Sequence, residues 1–348
     1  MTSTFRIKNL TLNGWFILLS SLFTAAVLFA LFVTFKINYQ RHDFFSEKKF
    51  RVKHGMTFGE IAEELEKDSI ISSAFWFKAA AKMQGKDERI ISRSYMIKPG
   101  LNNTELLGIL TDPSLNFTVK ITIPEGMTIR QIAKLSSAKF NFSEKDFIEQ
   151  AANDSLINLL GLSGKAVTLE GFLFPDTYIL DFDVSAKELA LVLFNEFYSK
   201  VLNDDKYGLK NNPVELLKAV TLASIVQGET QLVAEMPVVA GVYKNRLEKR
   251  MRLEADPTVQ YALPNGPKQR LLNEDLKVDS PYNTYLNYGL PPGPINNPGI
   301  NALEAALNPE KHDYLFFVAT GKGGHTFTET YAKHLEAVKE YRKNVKQK

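Results

Sequence analysis

The chain has 348 residues, 45% of them hydrophobic and 23% charged, so it can bury more than one core and is not a disordered tail. Its 42 basic and 39 acidic residues leave a net charge of +3 without a dense basic block, which argues against a nucleic-acid partner. With no cysteine, disulfides, thiolate metal sites, iron–sulfur clusters and cysteine nucleophiles are excluded together, and His42, His54, His312, His325 and His334 show no HExxH pairing, so neither a metal nor an organic cofactor is expected.

The first element is apolar. Gly14 to Phe35 reads GWFILLSSLFTAAVLFALFVTF, 22 residues without a charge. At about 1.5 Å per residue this matches a hydrocarbon core of roughly 30 Å. A buried core helix would show a polar face, and a cleaved leader has a shorter apolar stretch with small residues behind it. The run is longer than that and ends in Lys36, so an uncleaved anchor is the expectation. Arg6 and Lys8 favour an inside amino terminus, but Lys36, Arg41, Lys48 and Lys49 weaken the asymmetry.

Next comes a repeat at an offset of 71. HGMTFGEIA (54–62) lies over EGMTIRQIA (125–133) with five identities in nine positions, and the match continues to Ser72 over Ser143. Each copy predicts a short strand (Phe50–Val52 or Val119–Ile123), a Gly turn, and Thr57 or Thr128 capping a helix. A weaker third copy is YMIKPGLNNTELLGIL (95–110), with Asn103 or Thr104 near its cap. Strand–Gly–x–Thr–helix resembles the LysM module, which implies a glycan of cell walls as ligand. Packing repeats without a binding site give the same pattern.

From residue 166 the texture changes. NPVELLKAVTLASIVQGET (212–230) predicts a helix with Pro213 in its first turn, capped by Asn212 or Asn211 and buried on most sides. It delivers Glu229 to an apolar setting whose nearest amides, Gln227 and Gln231, carry no charge, while Gly228 permits close approach of another segment. Desolvation without a cation raises a carboxyl pKa, as a general acid near neutrality requires. A glutamate at a helix end is also commonly just solvated. SPYNTYLNYGLPPGPINNPG (280–299) combines Pro and Gly with Tyr282, Tyr285 and Tyr288. Such a loop suits a sugar-binding wall or simply an ordered, pinned loop.

LEGFLFPDTY, ASIVQGET, AGVYKNRL, MRLEADPTVQY, SPYNTY, GLPPGPINNPG and FVATGKGGHTF occur in this order. The set resembles the endolytic murein transglycosylase family (MltG, YceG-like) over nearly the whole chain. The resemblance implies an α+β fold class: a single N-terminal transmembrane helix, LysM-like βα modules and a mixed α+β catalytic domain. Expected boundaries are a cytoplasmic tail (1–13), an anchor (14–35), a stalk (36–49), a LysM-like segment (50–165) and a catalytic transglycosylase domain (166–348). The implied activity is that of a membrane-anchored lyase, cutting the MurNAc–GlcNAc β-1,4 bond of peptidoglycan outside the cytoplasmic membrane and leaving 1,6-anhydro ends. Partners would be peptidoglycan glycan strands, the membrane and wall-synthesis enzymes.

The family's helix-end motif usually reads ASIVEKET, and its second acidic residue, the catalytic one, maps to Glu229. Gln227 stands where many relatives have the first Glu, and Gly228 where Lys is common, so the first carboxylate is not needed for chemistry. Asn245, Asp256, Asn283 and Tyr285 are the expected substrate-positioning residues. Arg246 is an alternative ion-pair former, His325 a packed loop residue, and Asp256 before Pro257 a turn-former. Glu170, Glu235 and Asp256 are available as a second carboxylate, but nothing local pairs one with Glu229. Rival readings are a muramidase using water as nucleophile and a non-catalytic, LysM-like glycan-binding scaffold.

Overall fold

The computed structural model describes residues 12–53, 55–115, 117–203, 205–264 and 266–346. Most of the expected tail and His54, at the head of the first repeat, therefore lie outside the described residues. The chain divides into two compact units, Met1–Thr118 and Val119–Lys348. It is a mixed α and β protein in which each described sheet has two strands.

The apolar run folds as helix α1 (Leu12–Asn38). Three of its hydroxyls bond within the helix: Ser21 donates to the Leu18 carbonyl at 2.8 Å, Thr24 to the Ser20 carbonyl at 2.9 Å and Thr34 to the Ala30 carbonyl at 2.8 Å. A hydroxyl bonded to its own helix backbone costs less in an apolar surround than a free one. Residues 36–49, expected as a stalk, are built into the first unit, where Ile37 and His42 are buried. Strand β1 (Arg41–His42) opens this segment, followed by β2 (Lys48–Arg51). Helices α2 (Phe58–Lys67) and α3 (Ala74–Gln84) follow. Then come β3 (Ser94–Ile97), β4 (Leu101–Asn102) and α4 (Asn103–Thr111). β1 pairs antiparallel with β4, and β2 with β3. Phe50, Leu65, Phe77, Tyr95, Ile97 and Leu107 fill the core between them.

The second unit begins with β5 (Thr118–Thr122), α5 (Ile129–Ser137), α6 (Glu144–Ala151) and α7 (Asp154–Leu159). After β6 (Thr177–Asp181), the partner of β5, come α8 (Ala186–Phe197) and α9 (Pro213–Glu229). Helix α9 is buried along nearly all of its second half, from Ala219 to Gln227, as its apolar surface predicts. Around it lie α10 (Met236–Glu248), α11 (Asp256–Ala262) and α12 (Ile300–Leu307). The antiparallel hairpin of β7 (Phe316–Ala319) and β8 (His325–Thr328) carries the closing helix α13 (Tyr331–Lys346).

The repeat is visible as geometry. Thr57 and Thr128 cap α2 and α5, and in each the N3 side chain, Glu60 or Gln131, returns the bond to the cap backbone. The reciprocal pair satisfies two otherwise orphaned donors. In the third copy the cap is Asn102 rather than Asn103 or Thr104, because Glu105 sits three residues after it and closes the same box. The first and third copies lie in the first unit and the second copy in the second, where residues 119–165 contribute to the core that also holds α9. The change in sequence texture at 166 does not coincide with the division at 118.

Candidate active site

Helix α9 starts where Asn212 accepts the Glu215 amide at 3.3 Å and Pro213 occupies the first turn. It ends at Glu229, whose side chain keeps part of its surface open to a cleft. A methyl group on Gly228 would lie 2.7 Å from Pro257 Cβ, so the glycine is what lets the start of α11 press against the helix end. That contact brings Asp256 beside Glu229, and both line the same two pockets. The pairing is between helices and has no local signature in the sequence.

Burial pushes the Glu229 carboxyl up to about 7, and the negative charge of Asp256 acts in the same direction. Opposing them, the Tyr243 hydroxyl donates to Glu229 Oε1 at 2.6 Å and the Arg246 guanidinium attracts the ionised form. The result is a carboxyl poised to give and to take a proton near neutrality. Tyr243 projects from α10 and is almost wholly buried. Removing its hydroxyl takes away a bond that favours the carboxylate. Tyr243→Phe is therefore expected to move the alkaline limb of the pH–activity profile upward and to lower kcat about tenfold with little change in KM. A pH profile of glycan cutting by the variant checks this.

Tyr285 donates to Asp256 Oδ1 at 2.6 Å, and both residues line the pocket of about 220 Å³ on one side of Glu229. Arg246, Phe317 and His334 complete that side. Arg246 is held by the Leu315 carbonyl at 2.7 Å, the Leu253 carbonyl at 2.9 Å and Glu254 at 3.1 Å, so it acts as a fixed charge of the frame as well as a wall. On the other side, a pocket of about 300 Å³ is lined by Gly126, Thr128, Gln131, Gln260, Tyr261 and Asn296 among others. It shares Thr128, Gln131, Gln260, Tyr261 and Pro267 with a third, of about 440 Å³, that reaches Arg130 and Glu170. The three form one groove that extends to both sides of Glu229.

Of the expected positioning residues, the structure brings Asp256 and Tyr285 to Glu229 and places Asn245 and Asn283 elsewhere. Asn245 donates to the His312 and Tyr314 carbonyls at 2.7 and 3.0 Å. Asn283 is fully buried, donates to the Leu276 and Val278 carbonyls at 3.0 and 2.8 Å, and accepts the Tyr285 amide at 3.0 Å. Both amides hold loops, and neither is among the residues that line these three pockets. Among the other candidate acids, Glu235 is engaged by His325, whose Nδ1 and backbone amide lie 2.8 Å from its two oxygens. Gln227, at the family's first acidic position, is buried and accepts the Gly299 amide at 3.0 Å ahead of α12.

Glu170 was a spare carboxylate in the sequence and is a clamp in the structure. It accepts the Ile129 amide at 3.0 Å and Asn297 Nδ2 at 2.9 Å. Burial pushes it up to about 8, against the pull of those bonds and of the Tyr261 hydroxyl. Asn297 also donates through Nδ2 to the Met127 carbonyl, and its Oδ1 accepts the Gly171 and Leu173 amides, each at 2.9 Å. One asparagine thus ties the second repeat, the LEGFLF segment and the GPINNPG loop together.

Residues 50–340 match the YceG-like family. The chain belongs to that family. It is 34% identical over 303 residues, covering 83% of both chains, to the endolytic murein transglycosylase of Bacillus subtilis. A protein of the same name from Streptococcus pneumoniae is 29% identical over 77% of this chain, which spans 53% of that longer relative. The crystal structure of a YceG-like protein from Listeria monocytogenes superposes with a TM-score of 0.57 and 30% identity, covering 84% of this chain and 98% of that one.

Proposed function

We propose that the protein is a membrane-anchored lytic transglycosylase of peptidoglycan that cuts within glycan strands. The observation that carries the reading is the Glu229 carboxyl, raised to about 7 and set in the walls of two adjoining pockets. The YceG-like membership and the names of its relatives supply the substrate class. Asn296 Oδ1, buried in the groove wall with no hydrogen-bond partner among the described residues, suits an N–H donor such as an N-acetyl amide.

In this mechanism neutral Glu229 protonates the bridging oxygen as the bond from muramoyl C1 breaks. The resulting carboxylate takes the proton from the C6 hydroxyl of the same sugar, whose oxygen bonds to C1 and closes the 1,6-anhydro ring. The proton returns to the residue that gave it, and no water is consumed. The negative charge of Asp256, beside Glu229, would stabilise the positive charge developing at C1, while Tyr243 would fix the Glu229 carboxyl and steady it when ionised.

Asp256 beside Glu229 also supports a second reading, a muramidase in which the second carboxylate activates water. Digestion of purified, uncrosslinked glycan with the full chain in detergent separates the two by mass spectrometry. Anhydro ends, lighter by one water, are expected. Reducing muramic acid ends would make it a hydrolase, and binding without cutting would favour the scaffold.

The anchor in this reading is α1, whose span Gly14–Asn38 has the length and composition to cross a bilayer. The substrate lies outside the cytoplasmic membrane, which puts the amino terminus inside and the groove on the outer side. LysM-like glycan contact by the βα copies belongs to the same proposal. It is supported by Gly126, Thr128 and Gln131 of the second copy lining the groove.

A further inference from the structure

Helix α3 packs against the outer end of α1. The Trp76 ring meets Phe32 edge-on at 6.1 Å, and Phe75 meets Trp76 at 5.0 Å. Phe32 lies three residues before Phe35, the end of the uncharged run, so Trp76 sits at the level of the last apolar turn, about 4.5 Å inside that end at 1.5 Å per residue. The join is rigid. Asn103 Nδ2 donates to the Lys36 carbonyl at 3.0 Å, Thr104 Oγ1 to Asn38 Oδ1 at 3.2 Å, and Ile37 is 3% exposed in the core. With no free linker between them, the depth of α1 in a bilayer sets the depth of α3.

The outer surface of α3 has the character of a boundary. Phe75 is 69% exposed and Met83 71%, with half-buried Ala79 between them at helical spacing. Lys36 Nζ lies 5.8 Å from the Phe32 ring, and Lys78 and Lys82 flank the apolar stripe. Aromatic rings beside lysines whose stems run along apolar surface are the chemistry of a membrane interface. The stripe is continuous with the exposed apolar side chains of α1, among them Phe29, Phe32 and Phe35.

We propose that α3 seats the first compact unit on the bilayer that α1 crosses, with Phe75 and Trp76 entering the boundary between lipid headgroups and acyl chains. The occupant of the apolar stripe is lipid. This inference rests on reading α1 as a membrane anchor.

The chain has two tryptophans, one in α1 and one in α3, so the full protein can be read one residue at a time. Trp15→Phe leaves Trp76 as the reporter and Trp76→Phe leaves Trp15; both are conservative exchanges on sites that are not fully buried. Each variant is placed in phosphatidylcholine–phosphatidylglycerol vesicles whose acyl chains carry bromine either near the headgroup or near the chain end. Trp76 emission is expected to lose roughly half its intensity with bromine near the headgroup and little with bromine near the chain end, as an interfacial ring should. Quenching of Trp15 without quenching of Trp76 would overturn the seating and leave the anchor intact, with another protein surface as the occupant of the stripe. Quenching of neither would remove the anchor itself.

Discussion

Glu229→Gln is expected to lower glycan cutting by about 10²–10⁴-fold, the contribution a positioned acid–base group makes. The glutamine keeps an oxygen for the Tyr243 hydroxyl and fills the same space, so the fold should survive. Its effect on stability has a definite sign. The folded carboxyl holds its proton up to about 7, against an ordinary value of 4.5, so the wild type loses stability as pH rises between those values. The variant lacks this loss, and its urea midpoint at pH 8 should equal or exceed that of the wild type. A large fall in rate with no fall in midpoint assigns Glu229 to chemistry. A parallel fall in both would return it to structure and remove the mechanism above. In the wild type, kcat/KM should decline above pH 7 as the acid ionises.

The largest loss of stability is expected at Asn297. Truncation in Asn297→Ala leaves the buried Gly171 and Leu173 amides without their acceptor and takes from Glu170 Oε1 one of its two donors, the Ile129 amide remaining. Each such group costs about 1–3 kcal/mol, so a total of roughly 3–5 kcal/mol is expected. For a unit of this size that is a fall of roughly 10 °C in melting midpoint. Asn297→Asp keeps the shape and the acceptor oxygen but sets a carboxylate against Glu170.

The linkage adds a pH signature. Glu170 is raised to about 8 in the fold, so the wild type should lose about 1.4 kcal/mol per pH unit from this group between about 4.5 and 8. Glu170→Gln should remove that slope. Asn297→Asp should extend it upward, because the added charge holds the Glu170 proton more tightly. Urea unfolding between pH 5 and 9 reads all three, and a Glu170→Gln slope equal to the wild type would show that Glu170 is not the group titrating.

What was legible in the sequence was local. The apolar run gave α1 because its length and lack of charge are properties of consecutive residues. The caps at Thr57 and Thr128 were legible because cap, N3 partner and turn glycine fall within a few positions. Glu229 came from a run of ordered motifs and from the apolar helix that ends on it. What stayed hidden was pairing through space. Tyr243 lies inside AGVYKNRL, two positions before Asn245, and nothing in the motif singles it out as the partner of Glu229. Two positions along a helix is a turn of roughly 200°, so the two side chains leave α10 on opposite sides. One reaches Glu229 while the other reaches the His312 loop.

The loop contacts of Asn283 are equally invisible in the sequence. A Pro- and Gly-rich loop exposes many backbone carbonyls that need donors, and an asparagine in it is as readily recruited by the loop as by a ligand. Composition does not distinguish the two. The tyrosines of the same loop divide in the same way: Tyr285 bonds Asp256, Tyr282 packs on Tyr261 at 5.0 Å, and Tyr288 is 67% exposed with the Arg252 guanidinium 4.9 Å from its ring.

In the proposed reading, a cutting group with open pockets on both sides has a statistical consequence for a polymer. A strand laid across Glu229 would then be open to cutting at any interior link that fits, without first presenting a terminus. A few events would then halve and quarter long strands, so average length collapses while small fragments are still scarce. An enzyme that nibbled from a terminus would do the reverse, building up small products while most strands stayed long. If Glu229 is the cutting group proposed, its placement would make the protein a regulator of how long glycan strands are rather than of how much glycan there is.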